Sequence, residues 1–159
     1  MSGSSIAPAQ SGPDYAHARE LFEEYALALG IDLQFQGFSH ELHQLTTLYA
    51  PPTGCLLLAT AAQQFVGCVG VRRMNSADCE LKRLYVRPRA RGGGLGRRLS
   101  EAAIEQARAL GYQRLLLDTL ASMRSARALY QELGFVPIAA YYDNPIAGTS
   151  YLALDLTQR

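Results

Sequence analysis

A glycine-rich turn between a strand pattern and a helix pattern constrains the fold more than any other feature of this chain. Residues 79–86 alternate as a strand that Pro88 stops, residues 91–96 read RGGGLG, and an apolar stripe at helical spacing continues to Gly111. A helix that begins at such a turn directs free backbone N–H groups and the positive end of its dipole at one place. The turn therefore predicts an anion site, for which phosphate is the usual ligand.

The elements beside this turn predict a mixed α/β domain. In the strand, simple alternation places Leu81, Arg83 and Tyr85 on one face. An apolar strand at residues 114–119 follows the helix, so strand, helix and strand form a unit whose two strands are parallel. The helical stripe consists of Leu95, Leu99, Ala103, Ala107 and Leu110.

The rest of the chain predicts an antiparallel meander and flanking helices. Short links join the strand at residues 79–86 to two earlier apolar runs, as in a meander. Residues 11–14 carry a helix start signal, and Ser39 and Ser122 precede two further helical patterns. We expect strands at residues 55–60, 65–72, 136–142 and 150–156, and helices at 14–29, 39–45 and 122–133.

Length and composition exclude several classes of protein. The 159 residues are 48% hydrophobic and 18% charged, with a net charge of +1. The length and composition predict a single folded domain, over 14–159, and the small, polar, Pro- and Gly-containing residues 1–13 predict a flexible N-terminal arm. The composition and net charge do not favour a nucleic-acid or membrane partner. Because the three cysteines lack metal or disulfide spacing, we expect a cytoplasmic protein.

Charge is unevenly distributed along the chain. Residues 82–98 hold seven basic residues and no acid, whereas residues 1–41 hold six acids and one base. The basic segment surrounds the glycine turn and favours a phosphate-bearing ligand, and the acidic segment is compatible with a cationic one. A solvated charged face is the alternative interpretation of both segments.

Spacing separates the known phosphate-binding motifs. A P-loop requires lysine and then serine or threonine after its last glycine, but Arg97 and Arg98 follow Gly96. The glycines do not complete a dinucleotide fingerprint. His40 and His43 share a helix face, yet no third ligand lies near them in sequence, so we expect no metal site.

Three segments resemble the GNAT superfamily of N-acetyltransferases. They are ELKRLYVRP at residues 80–88, the turn at 91–96 and ALYQELGF at 128–135, and the similarity extends over residues 55–156. The resemblance implies an α/β (mixed α+β) fold with a mostly antiparallel sheet of six to seven strands, a splayed parallel pair and about four helices. It also implies transfer of an acetyl group from acetyl-CoA to a primary amine by direct attack in a ternary complex.

The resemblance assigns cofactor-binding roles. The turn would bind the pyrophosphate through its amides, the strand ending at Val86 would pair with the pantetheine arm, and an N–H near Leu84 or Tyr85 would stabilise the oxyanion. Ser122 or Arg124 would replace an asparagine that many members carry at the position of Met123. The cofactor-binding candidates are Leu84, Tyr85, Val86, Arg91, Gly92, Gly93, Gly94, Leu95, Gly96, Arg97 and Ser122.

The resemblance also assigns two catalytic residues. Tyr130 would protonate the departing thiolate, and its alternative role is that of a core aromatic residue. Glu80 would accept the proton of the amine, directly or through water. The alternative for Glu80 is a solvated charge at a strand end or a partner of Lys82, and Asp118 is the substitute base.

The sequence leaves the acceptor open. Asp118, Tyr142 and Asn144 are candidates for binding a small-molecule or peptide amine, although Asn144-Pro145 is also an ordinary turn. A CoA-binding module without catalysis, or a module for another nucleotide, remains an alternative function. A homodimer is compatible with the sequence.

Overall fold

The structure, a computed structural model, describes residues 3–158. These residues form seven strands and five α-helices, together with short 3-10 turns at Leu33–Gln36 and Pro88–Ala90. The strands are β1 (Ser4–Pro8), β2 (Cys55–Ala61), β3 (Gln64–Arg73), β4 (Asp78–Val86), β5 (Arg114–Thr119), β6 (Val136–Ile138) and β7 (Ser150–Asp155). The helices are α1 (Gly12–Leu29), α2 (Phe38–His43), α3 (Leu45–Leu48), α4 (Leu95–Ala109) and α5 (Arg124–Glu132).

One mixed sheet organises the molecule, in the order β1-β2-β3-β4-β5-β7-β6. Only β4 and β5 are parallel among the strand pairs of the described residues. This confirms the predicted mostly antiparallel sheet and its parallel pair. The helix predicted at 39–45 is two helices, because the chain turns at Gln44, and Gly37 rather than Ser39 occupies the cap of α2.

The parallel strands pair over only three residues. Asp78 lies opposite Arg114, and Glu80 lies opposite Leu116, which is the last pair. Beyond that point β5 continues with β7 alone and β4 with β3 alone. A gap therefore opens between β4 and β5, which is the splay that the family resemblance implied.

A bulge in β4 overturns the predicted alternation. The register against β3 shifts between Cys68 and Gly70, and Arg83 adopts a left-handed φ of 61°. The extra residue moves the following side chains to the opposite faces. Leu81 consequently shares the core beneath α4 with Leu84, whereas Tyr85 packs in the core on the other face.

The predicted N-terminal arm is wrong for residues 4–8. These residues form β1, which pairs with β2 from Ser4 opposite Ala61 to Pro8 opposite Leu57. The strand satisfies backbone groups along an apolar neighbour that would otherwise be a free edge. The first two residues of that arm lie outside the described residues.

Two hydrophobic cores lie on opposite faces of the sheet. Helix α4 buries Leu95, Leu99, Ala103 and Ala107 against one face, which confirms the predicted stripe. Helices α1, α2 and α3 cover the other face. In residues 3–158, no helix is both long and apolar enough to cross a membrane.

Several element boundaries differ from the prediction. Helix α1 begins at Gly12 with the expected capping box between Ser11 and Asp14. Helix α5 begins after Met123, which makes no side-chain capping bond, so the predicted Ser122 cap is wrong. Strand β6 ends at Ile138 rather than at residue 142 because the following segment folds over the splayed strands.

Candidate active site

The glycine turn presents an open surface at the start of α4. Gly92 and Gly94 have φ values of 90° and 79°, in the left-handed region that glycine tolerates. A Cβ atom added at Gly92, Gly93, Gly94 or Gly96 would meet nothing within 4 Å. The protein's own packing therefore does not require these glycines, and the space before them is free for a ligand.

Unused backbone donors line this surface. Among the described residues, the amides of Gly92, Gly93 and Gly94 donate to no protein acceptor. The amides of Leu95, Gly96 and Arg97 form the first turn of α4 and have no intrahelical acceptor. Together with the helix dipole, this donor set fits a pyrophosphate.

The two arginines chosen for phosphate contact have different surroundings. Arg91 donates from Nε to the carbonyl oxygen of Val86 at 2.8 Å and lies over the ring of Tyr85. Arg97 binds Glu132 at 2.9 Å and Glu101 at 3.5 Å, so it links α4 to α5. Arg91 retains free guanidinium donors beside the turn, whereas Arg97 already has two carboxylate partners.

The other basic residues near the turn bind distant parts of the chain. Arg87 forms a paired contact with Glu24 of α1, with distances of 2.6 and 2.9 Å. Arg89 donates to Gln64, and Arg98 donates to the backbone oxygen of Ser4. The basic cluster is therefore partly structural.

The edge of β4 that faces the gap offers the backbone N–H of Val86 without a partner among the described residues, whereas the Val86 carbonyl oxygen accepts from Arg91. The N–H of Arg87 donates to Val66 on β3. Because antiparallel pairs alternate, the polar groups of Tyr85 face β3 and those of Val86 face the gap. Leu84 lines the gap with its side chain.

Tyr130 reaches this gap from α5. Its side chain is 3% exposed, packs against Phe135 and makes no hydrogen bond to another described residue. Burial raises the pKa of the phenol, so it carries its proton at neutral pH. The small cavity there, of about 20 Å³, is lined by Tyr25, Leu81, Lys82, Arg83, Leu84, Asp118, Met123 and Tyr130.

Glu80 is buried rather than solvated. It is 8% exposed, accepts a hydrogen bond of 2.8 Å from the Tyr141 hydroxyl and lies 3.9 Å from Nζ of Lys82. The structure thus excludes an exposed strand-end charge and combines the other two interpretations, a carboxylate near the gap and a neighbour of Lys82. Burial, followed by the charge of Glu80, raises the pKa of Tyr141.

The three acceptor-binding candidates come together. Asp118 at the end of β5 accepts hydrogen bonds from Tyr142 and, at 3.3 Å, from Asn144. Asn144 also donates to the Tyr142 hydroxyl at 2.9 Å. Gln36, from the 3-10 turn after α1, donates to the same hydroxyl at 2.8 Å and closes the cluster.

Sequence reasoning missed Gln36 and the environment of Arg83. Gln36 lies outside every motif, and no sequence signal indicated it. Arg83 is 5% exposed and forms two hydrogen bonds with buried Glu41, which also accepts one from Tyr49. A glutamate on a short helix gives no sign of such a distant partner.

Ser122 has no partner that supports its predicted role. It is exposed and donates to no described residue, and Arg124, the substitute, is exposed at the start of α5. Among the described residues, no cluster of three His, Cys, Asp or Glu side chains could hold a metal ion.

Comparisons with known proteins agree with this architecture. The sequence matches the acetyltransferase (GNAT) family over residues 17–135. An uncharacterized N-acetyltransferase of Schizosaccharomyces pombe is 36% identical over 156 residues, covering 97% of this chain and 96% of that protein.

Solved structures share the fold at low identity. An acetyltransferase from Streptococcus agalactiae has a TM-score of 0.77 at 22% identity, covering 96% of this chain and 98% of that one. A GNAT acetyltransferase from Elizabethkingia anophelis, solved with acetyl-CoA bound, has a TM-score of 0.67 at 21% identity, with coverage of 96% and 97%. From the extent of the family match and of the similarity to the yeast protein, the chain belongs to the GNAT family of acetyltransferases.

Proposed function

We propose that this protein transfers an acetyl group from acetyl-CoA to a primary amine by direct attack in a ternary complex. One observation supports this most strongly: β4 joins the gap that Tyr130 lines to the turn with unused amides. One continuous strand and turn would thus hold both the phosphates of acetyl-CoA and its reacting thioester. A binding module for phosphate alone would not require the buried carboxylate and phenol beside the gap.

The residues present fit acetyl-CoA. The amides of residues 92–97 would hold its pyrophosphate, with Arg91 beside them, and the gap-facing groups of Val86 would pair with its amide-containing arm. When bound, the cofactor supplies an activated thioester carbonyl. Binding along Val86 requires Arg91 to release the Val86 carbonyl, which frees its guanidinium for a phosphate.

Glu80 would accept the proton of the acceptor. A primary amine has a pKa near ~10.4, so removing its proton at neutral pH costs about 4 to 5 kcal/mol. Glu80 lies on β4 three residues before Arg83 of the bulge and keeps a carboxylate oxygen that no described hydroxyl or amide occupies.

Tyr130 would return a proton to the sulfur that leaves. Its phenol lines the gap and holds its proton at neutral pH. A phenol of raised pKa transfers that proton only as negative charge develops on the sulfur, so transfer and bond breaking would be concerted. Asp118, Tyr142 and Asn144 would orient the acceptor on the opposite side of the gap.

The cysteines support a reducing, cytoplasmic location for this activity. Cys55, Cys68 and Cys79 are all free and buried. Burial raises the pKa of Cys55 and Cys79 to about 12, which makes these thiols unreactive at neutral pH.

The test separates catalysis from cofactor binding. Wild type and Tyr130→Phe are compared for release of free thiol from acetyl-CoA with a panel of amines, and for the shift in melting temperature with CoA. We expect the variant to lose about 10² to 10⁴-fold in kcat while its thermal shift is retained.

Two outcomes would contradict the proposal. If wild type shows the thermal shift but no amine releases thiol, a CoA-binding module without catalysis is favoured. If another nucleotide shifts the melting temperature and CoA does not, the turn serves a different phosphate ligand.

A further inference from the structure

We propose that Lys82 binds a carboxylate of the acceptor, so that the substrate is an amino acid with an apolar side chain rather than a simple amine or a polyamine. This inference rests on the proposed function, because it names the substrate class for the same site. It is carried by the contacts of Lys82, by the charges around the gap and by the lining of the adjoining cavity.

Lys82 is a buried cation without a hydrogen-bonded partner. Its side chain is 7% exposed and lines the gap together with Tyr130 and Asp118. An ammonium group has three N–H donors, yet no described residue accepts a hydrogen bond from this one. The nearest carboxylate oxygen belongs to Glu80 at 3.9 Å and is already bound by Tyr141.

The neighbouring charges leave Lys82 as the available cation. Arg83 faces the same cavity, but both oxygens of Glu41 bind it, at 2.7 and 3.1 Å. Asp118 is held by Tyr142 and Asn144 on the far wall. An incoming carboxylate would therefore find one unsatisfied ammonium, and a second ammonium, as in a polyamine, would meet repulsion there.

Burial itself disfavours the charge on Lys82. It lowers the pKa of the ammonium, and Glu80 and Asp118 counter this while Arg83 adds to it. A bound carboxylate would favour the charged form of Lys82 and supply the missing hydrogen-bond acceptor. A buried lysine in this state is thus better suited to a ligand anion than to structural support.

An adjoining cavity fits the rest of an amino acid. It shares Tyr25, Arg83, Asp118 and Met123 with the cavity of Lys82. Gln36 contributes a buried amide oxygen that lacks a partner among the described residues, and this oxygen can accept from the substrate's amine. The apolar lining of this adjoining cavity includes Leu29, Ile31, Leu33, Phe35, Leu120 and Ile146.

The substrate would have to displace side chains as it binds. Each cavity measures about 20 Å³, which is the space of a single water molecule. Gln36 and Asn144 close over Asp118 through hydrogen bonds that a substrate amine can replace. The carboxylate would lie at Lys82, the amine in the gap and the apolar side chain in the outer cavity.

The experiment compares acceptors that differ by one carboxylate. Thiol release from acetyl-CoA is measured with L-leucine and 3-methylbutylamine, with L-phenylalanine and phenethylamine, and with spermidine. For wild type we expect kcat/KM to be at least about tenfold higher for each amino acid than for its decarboxylated partner. In Lys82→Met that ratio should fall to within about twofold, whereas Arg19→Met, which removes an exposed cation of α1, should retain it.

A binding measurement keeps the inference separate from the proposed function. Isothermal titration of L-leucine into the protein without acetyl-CoA should give heat for wild type and none for Lys82→Met. Lys82→Gln serves as the second variant if the first does not fold, as judged by circular dichroism.

The outcomes distinguish the two failures. If wild type acetylates the decarboxylated amines or spermidine as well as the amino acids, the inference is wrong and the proposed function stands. If no acceptor releases thiol, the proposed function fails, and the titration alone decides whether Lys82 binds a carboxylate. The inference about Lys82 is also wrong if titration of L-leucine gives no heat with wild type, or if the heat is retained in both Lys82 variants.

Discussion

At the scale of the residue, burial changes what a side chain can do. Glu80 and Lys82 stand two apart on one strand, and on a solvated edge they would form a weak surface pair worth at most about 1 kcal/mol. Here both are less than a tenth exposed, and they lie 3.9 Å apart, too far for a hydrogen bond between them. Groups in that condition respond strongly to a ligand, which makes them candidates for chemistry rather than for stability.

Substitution Glu80→Gln tests the base. At pH 7 we expect kcat/KM to fall by about 10² to 10⁴-fold, because no group takes the acceptor's proton. The loss should shrink as pH rises towards the pKa of the amine, where the free base is already present. Thiol release measured from pH 6 to 10 gives this profile.

Tyr141→Phe is the matched control for that profile. It removes the hydrogen bond to Glu80 but leaves the carboxylate in place, so its rate should depend on pH much as that of wild type does. An equal loss for Glu80→Gln at every pH would show that Glu80 positions other groups and does not act as the base.

At the scale of the element, the glycine turn and the start of α4 favour ligand binding at a cost in helix stability. Gly96 lies in the first turn of α4 with open space around its absent Cβ. A glycine inside a helix costs roughly 0.5 to 1 kcal/mol relative to alanine. The turn therefore keeps a residue that weakens the helix, which is expected if a ligand needs the room.

Substitution Gly96→Ala should raise the stability of the protein and weaken its binding of CoA. We expect the melting temperature of the free protein to rise by a few degrees and the Kd for CoA to rise about tenfold, because a methyl group would enter the phosphate space. Differential scanning fluorimetry and isothermal titration measure the two.

The first residue of α1 provides the control. Gly12→Ala places a methyl group in similarly open space far from the turn, so CoA binding should be unchanged. Unaltered CoA affinity in Gly96→Ala would mean that the phosphate does not lie against this part of the turn.

At the scale of the whole molecule, a buried ion pair joins the N-terminal helices to the sheet. Glu41 of α2 and Arg83 of β4 are 2% and 5% exposed. Although burial raises the pKa of Glu41, the hydrogen bonds and charge of Arg83 outweigh it and hold that pKa below its ordinary value. The pair spans the interface between α2 and the bulge that shapes the gap.

This pair predicts a dependence of stability on pH. A carboxyl whose pKa is lower in the folded state stabilises the protein above its unfolded pKa, near ~4.3, and loses that contribution as pH falls through the folded value. The free energy of unfolding, from urea titrations between pH 3 and 7, should fall below about pH 4.5 in wild type. The double variant Glu41→Gln, Arg83→Met should show a smaller fall.

The single variant reports on the cost of an unpaired charge. Arg83→Met leaves Glu41 buried without its cation and should destabilise the fold by about 3 to 5 kcal/mol at pH 7. The double variant should lose less. If the two losses were equal, Glu41 would not depend on Arg83 for its charge.

The overall fold could be predicted from the sequence because local signals determine it. Glycine positions, apolar periodicity and two motifs indicated the sheet, α4 and the approximate place of Glu80 and Tyr130. The bulge at Arg83 could not be predicted, because a positive φ at a non-glycine residue leaves no mark in composition. The contacts of Gln36 and Glu41 could not be predicted either, because each residue meets its partner across a long separation in sequence.

Strand β1 has a practical consequence for anyone who expresses this protein. It covers the outer edge of β2, whose residues from Cys55 to Ala59 are buried. Removal of residues 1–8 would leave backbone N–H and C=O groups of β2 without partners beside apolar side chains. Such an edge can pair with a strand from another molecule. The shortened protein is expected to self-associate and precipitate even if its catalytic groups are untouched, so affinity tags are better placed before an intact N-terminus than in exchange for it.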